Sequence, residues 1–129
     1  MKLLLDTHIW IWSLAEPKRL SRRVQNELKD RNNELWLSPV STWEVVLLHA
    51  KGRIRLHGSA RDWVTTATAY MREAPLTHEI VAVARDLPLS HQDPADRFLA
   101  ATAAVLGLTL VTADQRLLGL GNIATLANR

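Results

Sequence analysis

Five acidic residues of this chain stand where a carboxylate could do chemistry. Asp6 directly follows the apolar run Lys2–Leu5. Glu44 falls in the first turn of the helix that begins near Ser41, after a second short apolar run. Asp93 and Asp96 open a long apolar helix, and Asp114 follows "TLVT" by two residues. A charged group at the end of a buried strand carries a desolvation cost unless it is paired or bound to a cation. Several carboxylates brought together repel one another and raise each other's pKa. A divalent cation with a preference for oxygen ligands, Mg²⁺ or Mn²⁺, removes that problem. The competing chemistries are thin. The chain has no cysteine, so thiolate metal sites, cysteine nucleophiles and disulfide frameworks are excluded. Its five histidines, His8, His49, His57, His78 and His91, share no zinc-ligand spacing. Ser41 has no visible His and Asp arrangement around it, so no serine nucleophile is expected.

Each acid also has a plainer role. Asp6 suits the N-cap of the helix that follows it. Ser41–Glu44 reads as a capping box, with Glu44 returning to the Ser41 N–H. Asp93 precedes Pro94, which makes Asp93 the natural N-cap and puts Asp96 in the first turn. Asp114 suits the cap of a short helix. Capping alone gives no reason for acids at all of these strand exits together.

The elements that must position these residues follow from periodicity and punctuation. Strands are expected at Lys2–Leu5, 35–37, Thr109–Thr112 and 123–126, with a short one at 75–76. Helices are expected over Thr7–Ala15, from Ser21 to about residue 31, over 43–51 closed by Gly52, from Ser59 to about 73, and from Thr77 to about 86. Two more follow, from Pro94 to a stop at Gly107 and over 114–118. Strands alternating with helices imply an α/β domain with a parallel sheet, whose sites form outside the carboxyl ends of the strands. The helix after Pro94 is apolar nearly all round and is expected to be deeply buried.

At 129 residues, 47% hydrophobic and 22% charged, the chain is expected to form one domain over residues 1–129. No apolar run approaches the ~18 residues of a membrane span, and the start lacks a signal-peptide pattern. The expectation is a cytoplasmic protein with no membrane partner. The formal charge is +3. Setting aside Asp6, Glu44, Asp96 and Asp114 leaves 9 acidic residues against 16 basic ones, a surround of +7. A small acidic centre in a basic surround suits a phosphodiester backbone held near metal ions.

Three stretches, "LLLDTHIWIW", "SPVSTWEVVLLHAKGRI" and "HQDPADRFLAATAAVLGLTLVTAD", in this order and spacing, resemble PIN-domain ribonucleases. The likeness is greatest to the VapC-type toxins of toxin–antitoxin pairs, and it covers essentially the whole chain. The resemblance implies a three-layer α/β/α fold with a mainly parallel central sheet, Mg²⁺ or Mn²⁺ as cofactor, and endonucleolytic cleavage of RNA. It places the acidic quartet on Asp6, Glu44, Asp96 and Asp114, with Thr112 as a supporting hydroxyl. Asp93 is assigned mainly to capping. It also implies a cognate antitoxin whose C-terminal segment occludes the RNA site, and a homodimer. The competing readings are a PIN nuclease of RNA processing and a nucleic-acid-binding module without hydrolysis.

Several further residues are candidates by position. Arg97 and Arg116 closely follow acidic residues, and Lys51, Arg53 and Arg55 alternate along a basic stretch; all five are candidate RNA contacts. His8 and His91 are near Asp6 and Asp93 in sequence. The helix Thr7–Ala15 carries Ile9, Trp10, Ile11, Trp12 and Leu14 around most of its circumference, more than one sheet contact covers. Trp10 and Trp12 are therefore candidate partner contacts.

Overall fold

The computed structural model describes residues 1–89 and 93–129. Five parallel strands, β1 (Lys2–Leu5), β2 (Glu34–Leu37), β3 (Arg72–Glu73), β4 (Thr109–Thr112) and β5 (Thr125–Ala127), form one sheet in the order β3-β2-β1-β4-β5. The helices are α1 (Thr7–Ala15), α2 (Arg22–Lys29), α3 (Pro39–Ala50), α4 (Ala60–Ala67), α5 (His78–Asp86), α6 (Pro94–Leu106) and α7 (Gln115–Leu118). The strand order runs outward from β1 in both directions. The reversal opens a crevice at the carboxyl ends of β1 and β4, where α/β sheets bind ligands.

Alternation along β1 separates two cores. Leu4 packs with Leu99, Ala100, Ala103 and Leu110 on the face covered by α5 and α6. Leu3 and Leu5 pack with Ile9, Trp10, Val24 and Val45 on the face covered by α1, α2 and α3. The central strand is thus buried on both sides, as its continuous apolar run requires. Five consecutive residues of α6, Leu99 to Ala103, are buried, and Gly107 ends that helix at φ 65°. Among the described residues no helix is long and apolar enough to cross a membrane.

Several boundaries differ from expectation. The helix carrying Glu44 starts at Pro39, with the Ser38 hydroxyl accepting from the Val40 N–H at 3.1 Å. Proline at the first position suits a helix start, so Ser41 is a buried helical residue and Glu44 lies in the second turn, outside any capping box. The third strand of the chain is Arg72–Glu73, not 75–76, because Ala74 still donates to the Leu37 carbonyl whereas Pro75 has no N–H to give. Helix α4 accordingly stops at Ala67, short of residue 73, and α2 stops at Lys29. The last strand begins at Thr125, two residues late.

Candidate active site

Pairing of β1 with β4 builds the centre of the site. The Asp6 N–H continues the ladder by donating to the Val111 carbonyl at 3.0 Å, which brings the Asp6 side chain beside Thr112, the last residue of β4. The Thr112 hydroxyl donates to Asp6 Oδ2 at 2.6 Å and accepts from the Asp114 N–H at 3.0 Å. One hydroxyl thus fixes two of the acidic positions. Asp6 occupies the N-cap position of α1 but makes no side-chain cap bond; its carboxylate is turned toward β4 instead.

Glu44 is aimed by a second hydroxyl chain. The buried Ser41 and Thr7 hydroxyls lie 2.9 Å apart, and Thr7 donates to Glu44 Oε1. Since Thr7 has one proton and gives it to the carboxylate, the Ser41 hydroxyl is the donor to Thr7. Sequence reasoning does not single out Thr7 and Ser41 as site residues. Their only signal is a hydroxyl next to Asp6 and another one helical turn before Glu44.

On the other side, Asp93 caps α6 by accepting from the Ala95 N–H at 3.0 Å. Asp96 sits in the first turn of that helix. Asp114 caps α7 through the Arg116 N–H at 2.9 Å. Asp6, Glu44, Asp93, Asp96 and Asp114 all line one open cleft of about 490 Å³, together with His8, Trp12, Arg19 and Arg116. Burial pushes the Asp6 carboxyl above the ordinary aspartate range, and nearby Asp96 adds to the rise, against the lowering effect of Thr112. Glu44 is raised by burial and then by Asp6, Asp93 and Asp96. Among the described residues, five carboxylates share this cleft with two arginines, Arg19 and Arg116.

The donors are carboxylate oxygens flanked by hydroxyls, which is the chemistry of a hard divalent cation rather than of zinc. The rise of Asp6 and Glu44 fits the same conclusion, because a cation relieves both desolvation and mutual repulsion. Among the described residues, however, no three His, Asp or Glu side chains are gathered closely enough to hold an ion as they stand. The Arg116 guanidinium contacts Asp114 at 2.9 Å and lies 3.8 Å from Asp96.

A PIN-domain family signature matches residues 3–122. This chain belongs to the PIN-domain family. It is 36% identical to Ribonuclease VapC22 of Mycobacterium tuberculosis over 116 residues, spanning 89% of this chain and 88% of that one. Its fold is similar to that of DNA-bound VapBC from Salmonella typhimurium, with a TM-score of 0.75 at 14% identity over 100% of this chain and 99% of the other. It is also similar to VapBC2 from Rickettsia felis bound to a promoter DNA fragment, with a TM-score of 0.74 at 16% identity over 98% of both chains. In this PIN domain Asp6 follows β1 and Asp114 follows β4 by two residues, while Glu44 and Asp96 come from α3 and α6.

Other candidates are placed differently. Arg97 turns away from the PIN-domain cleft: its guanidinium donates to the carbonyls of Ala84, Leu87 and Leu89 at 3.0, 3.2 and 3.2 Å. It is a structural clamp on the chain after α5, not a free cation for RNA. Lys51, Arg53 and Arg55 are exposed beyond the C-terminal end of α3, and none of them lines the cleft. Trp10 has no exposed surface and packs on Trp63 of α4, ring centroids 5.4 Å apart, so it belongs to the core and offers nothing to a partner. Much of the apolar circumference of α1 is therefore covered from within the chain. Trp12 does line the cleft, with the Arg19 guanidinium 4.2 Å from its ring centroid and His8 beside it. His91 lies outside the described residues.

Proposed function

We propose that this protein is a metal-dependent endoribonuclease, the toxin of a toxin–antitoxin pair. The observation that carries the reading is the convergence of Asp6, Glu44, Asp96 and Asp114, from four separate segments of the chain, on one cleft at the crevice between β1 and β4. The relationship to Ribonuclease VapC22 supports RNA as the substrate. A Mg²⁺ or Mn²⁺ ion held by Asp6, Asp96 and Asp114 would supply Lewis acidity at the scissile phosphate and make an attacking water more acidic. Thr112 holds the Asp6 carboxylate in place through its proton, leaving the other Asp6 oxygen for ligation. Glu44, raised by burial and by its acidic neighbours and oriented by Thr7 and Ser41, orients the water and accepts its proton as the water oxygen attacks phosphorus; the phosphodiester P–O bond breaks and the leaving oxygen takes a proton from solvent. Arg19, which lines the cleft over Trp12, would meet a phosphate of the flanking backbone.

An antitoxin that covers this cleft is the expected partner, in keeping with the likeness to VapBC complexes. Homodimerisation and a cytoplasmic location belong to the same proposal. The test is cleavage of total cellular RNA by the purified chain with Mg²⁺ or with excess EDTA. Cleavage is expected only with the ion, and Glu44→Gln is expected to slow it by about 10²–10⁴-fold. Full activity in EDTA overturns the metal mechanism. A Glu44→Gln protein that is folded and fully active removes Glu44 from the chemistry.

A further inference from the structure

Arg116, in the lining of the acidic cleft, is bound to one of the acids that share it. Its backbone N–H, Nε and Nη2 donate to Asp114 at 2.9, 3.1 and 2.9 Å and engage both carboxylate oxygens. The same Nη2 lies 3.8 Å from Asp96 Oδ2. Its side chain is 53% exposed, whereas that of Asp96 is 14% exposed. One solvent-facing cation therefore spans two carboxylates that are themselves held by α6 and the start of α7. The other arginines near these acids have different engagements. Arg97 is committed to three backbone carbonyls, and Arg19 lies over Trp12.

We propose that Arg116 is a built-in counter-ion that shares Asp96 and Asp114 with the divalent ion and leaves them when the ion binds. The inference rests on the metal-dependent reading above. A divalent ion needs the carboxylate oxygens that Arg116 now engages, and at contact distance it repels a guanidinium. Without that guanidinium, Asp96 and Asp114 would bring more negative charge to a cleft they share with Asp6, Glu44 and Asp93. Arg116 thereby relieves repulsion in the ion-free cleft and weakens ion uptake. Its exposure lets it move away without disturbing the core, while its backbone N–H keeps the cap on α7.

The experiment measures Mn²⁺ uptake by the purified chain without RNA, through loss of the free-ion paramagnetic signal. Arg116→Gln is compared with wild type and with Arg61→Gln, which removes the same charge from α4, a helix that contributes nothing to the cleft. Arg116→Gln is expected to bind Mn²⁺ at least about fivefold more tightly than wild type. Arg61→Gln is expected to stay close to wild type, and Arg116→Lys, which keeps the charge but loses the forked contact, to fall between. Equal affinities for Arg116→Gln and Arg61→Gln, or weaker binding by Arg116→Gln, overturn the inference. If the Gln variant fails to fold, the Lys variant decides: an affinity no higher than wild type overturns the proposal, and a higher one supports it. If the wild type cuts RNA only with the ion yet Arg116→Gln does not tighten uptake, this inference alone falls. Full cleavage in EDTA, or no ion taken up by any of the four proteins, overturns the metal-dependent reading and this one together.

Discussion

The starts of α6 and α7 look alike in sequence and behave differently in space. Each has an aspartate at the N-cap, Asp93 and Asp114, and each has an arginine within its first turn or just beyond, Arg97 and Arg116. In α7 the arginine is two residues past the cap and folds back over the capping carboxylate. In α6 it is four residues past the cap, which turns it to the flank of the helix facing the end of α5, where carbonyls accept its protons. Asp96, one residue earlier, faces the cleft instead. Helix phase, not nearness to an acid along the chain, decides which charged group serves the site and which serves the fold.

The comparison can be broken most strongly at Asp96. Asp96→Asn is expected to lower metal-dependent RNA cleavage by at least the ~10–100-fold that loss of a supporting group costs a metal site. Its melting temperature is expected to stay the same or rise, because a like charge near Asp6 and Glu44 is removed. A fully active Asp96→Asn protein would move the ligand role elsewhere.

Arg97→Gln probes the opposite side of the same turn. It is expected to cost about 2 kcal/mol in denaturant unfolding, as carbonyls lose charged donors, while cleavage per folded molecule stays near wild type. Arg116→Gln is expected to lower the melting temperature less than Arg97→Gln. Normal stability of Arg97→Gln with poor cleavage would return Arg97 to the RNA contacts.

The smallest effect is expected at Asp93. Asp93→Ser keeps an oxygen for the Ala95 N–H, so stability is expected to fall by at most about 1 kcal/mol and much of the cleavage to remain. Loss of cleavage in a folded Asp93→Ser protein, with Asp96→Asn active, would reverse the two assignments.

Much of the architecture was legible because local signals agreed with the fold. The cap at Ser21, the Asp93-Pro94 start, the stop at Gly107 and the run Lys2–Leu5 all mark real boundaries. The misplaced start of α3 has a local cause: both Ser38 and Ser41 can cap, and Pro39 favours the earlier one. Trp10 and Trp12 could not be told apart by composition. Two residues along a helix turn the side chain by about 200°, so one reaches Trp63 in the core and the other borders the cleft.

The sequence by itself determined which residue types were available: acids at successive strand exits, hydroxyls beside them, and no cysteine to support another chemistry. It also determined the alternation that makes a parallel sheet, and with it the edge on which a site forms. Only the tertiary structure decided the partners. Thr112 reaches Asp6 across 106 positions of sequence, and Thr7 reaches Glu44 across 37. The physical reason is that a strand or helix fixes the direction of its own side chains, whereas the register between β1 and β4 and the packing of α1 on α3 fix which of those directions meet.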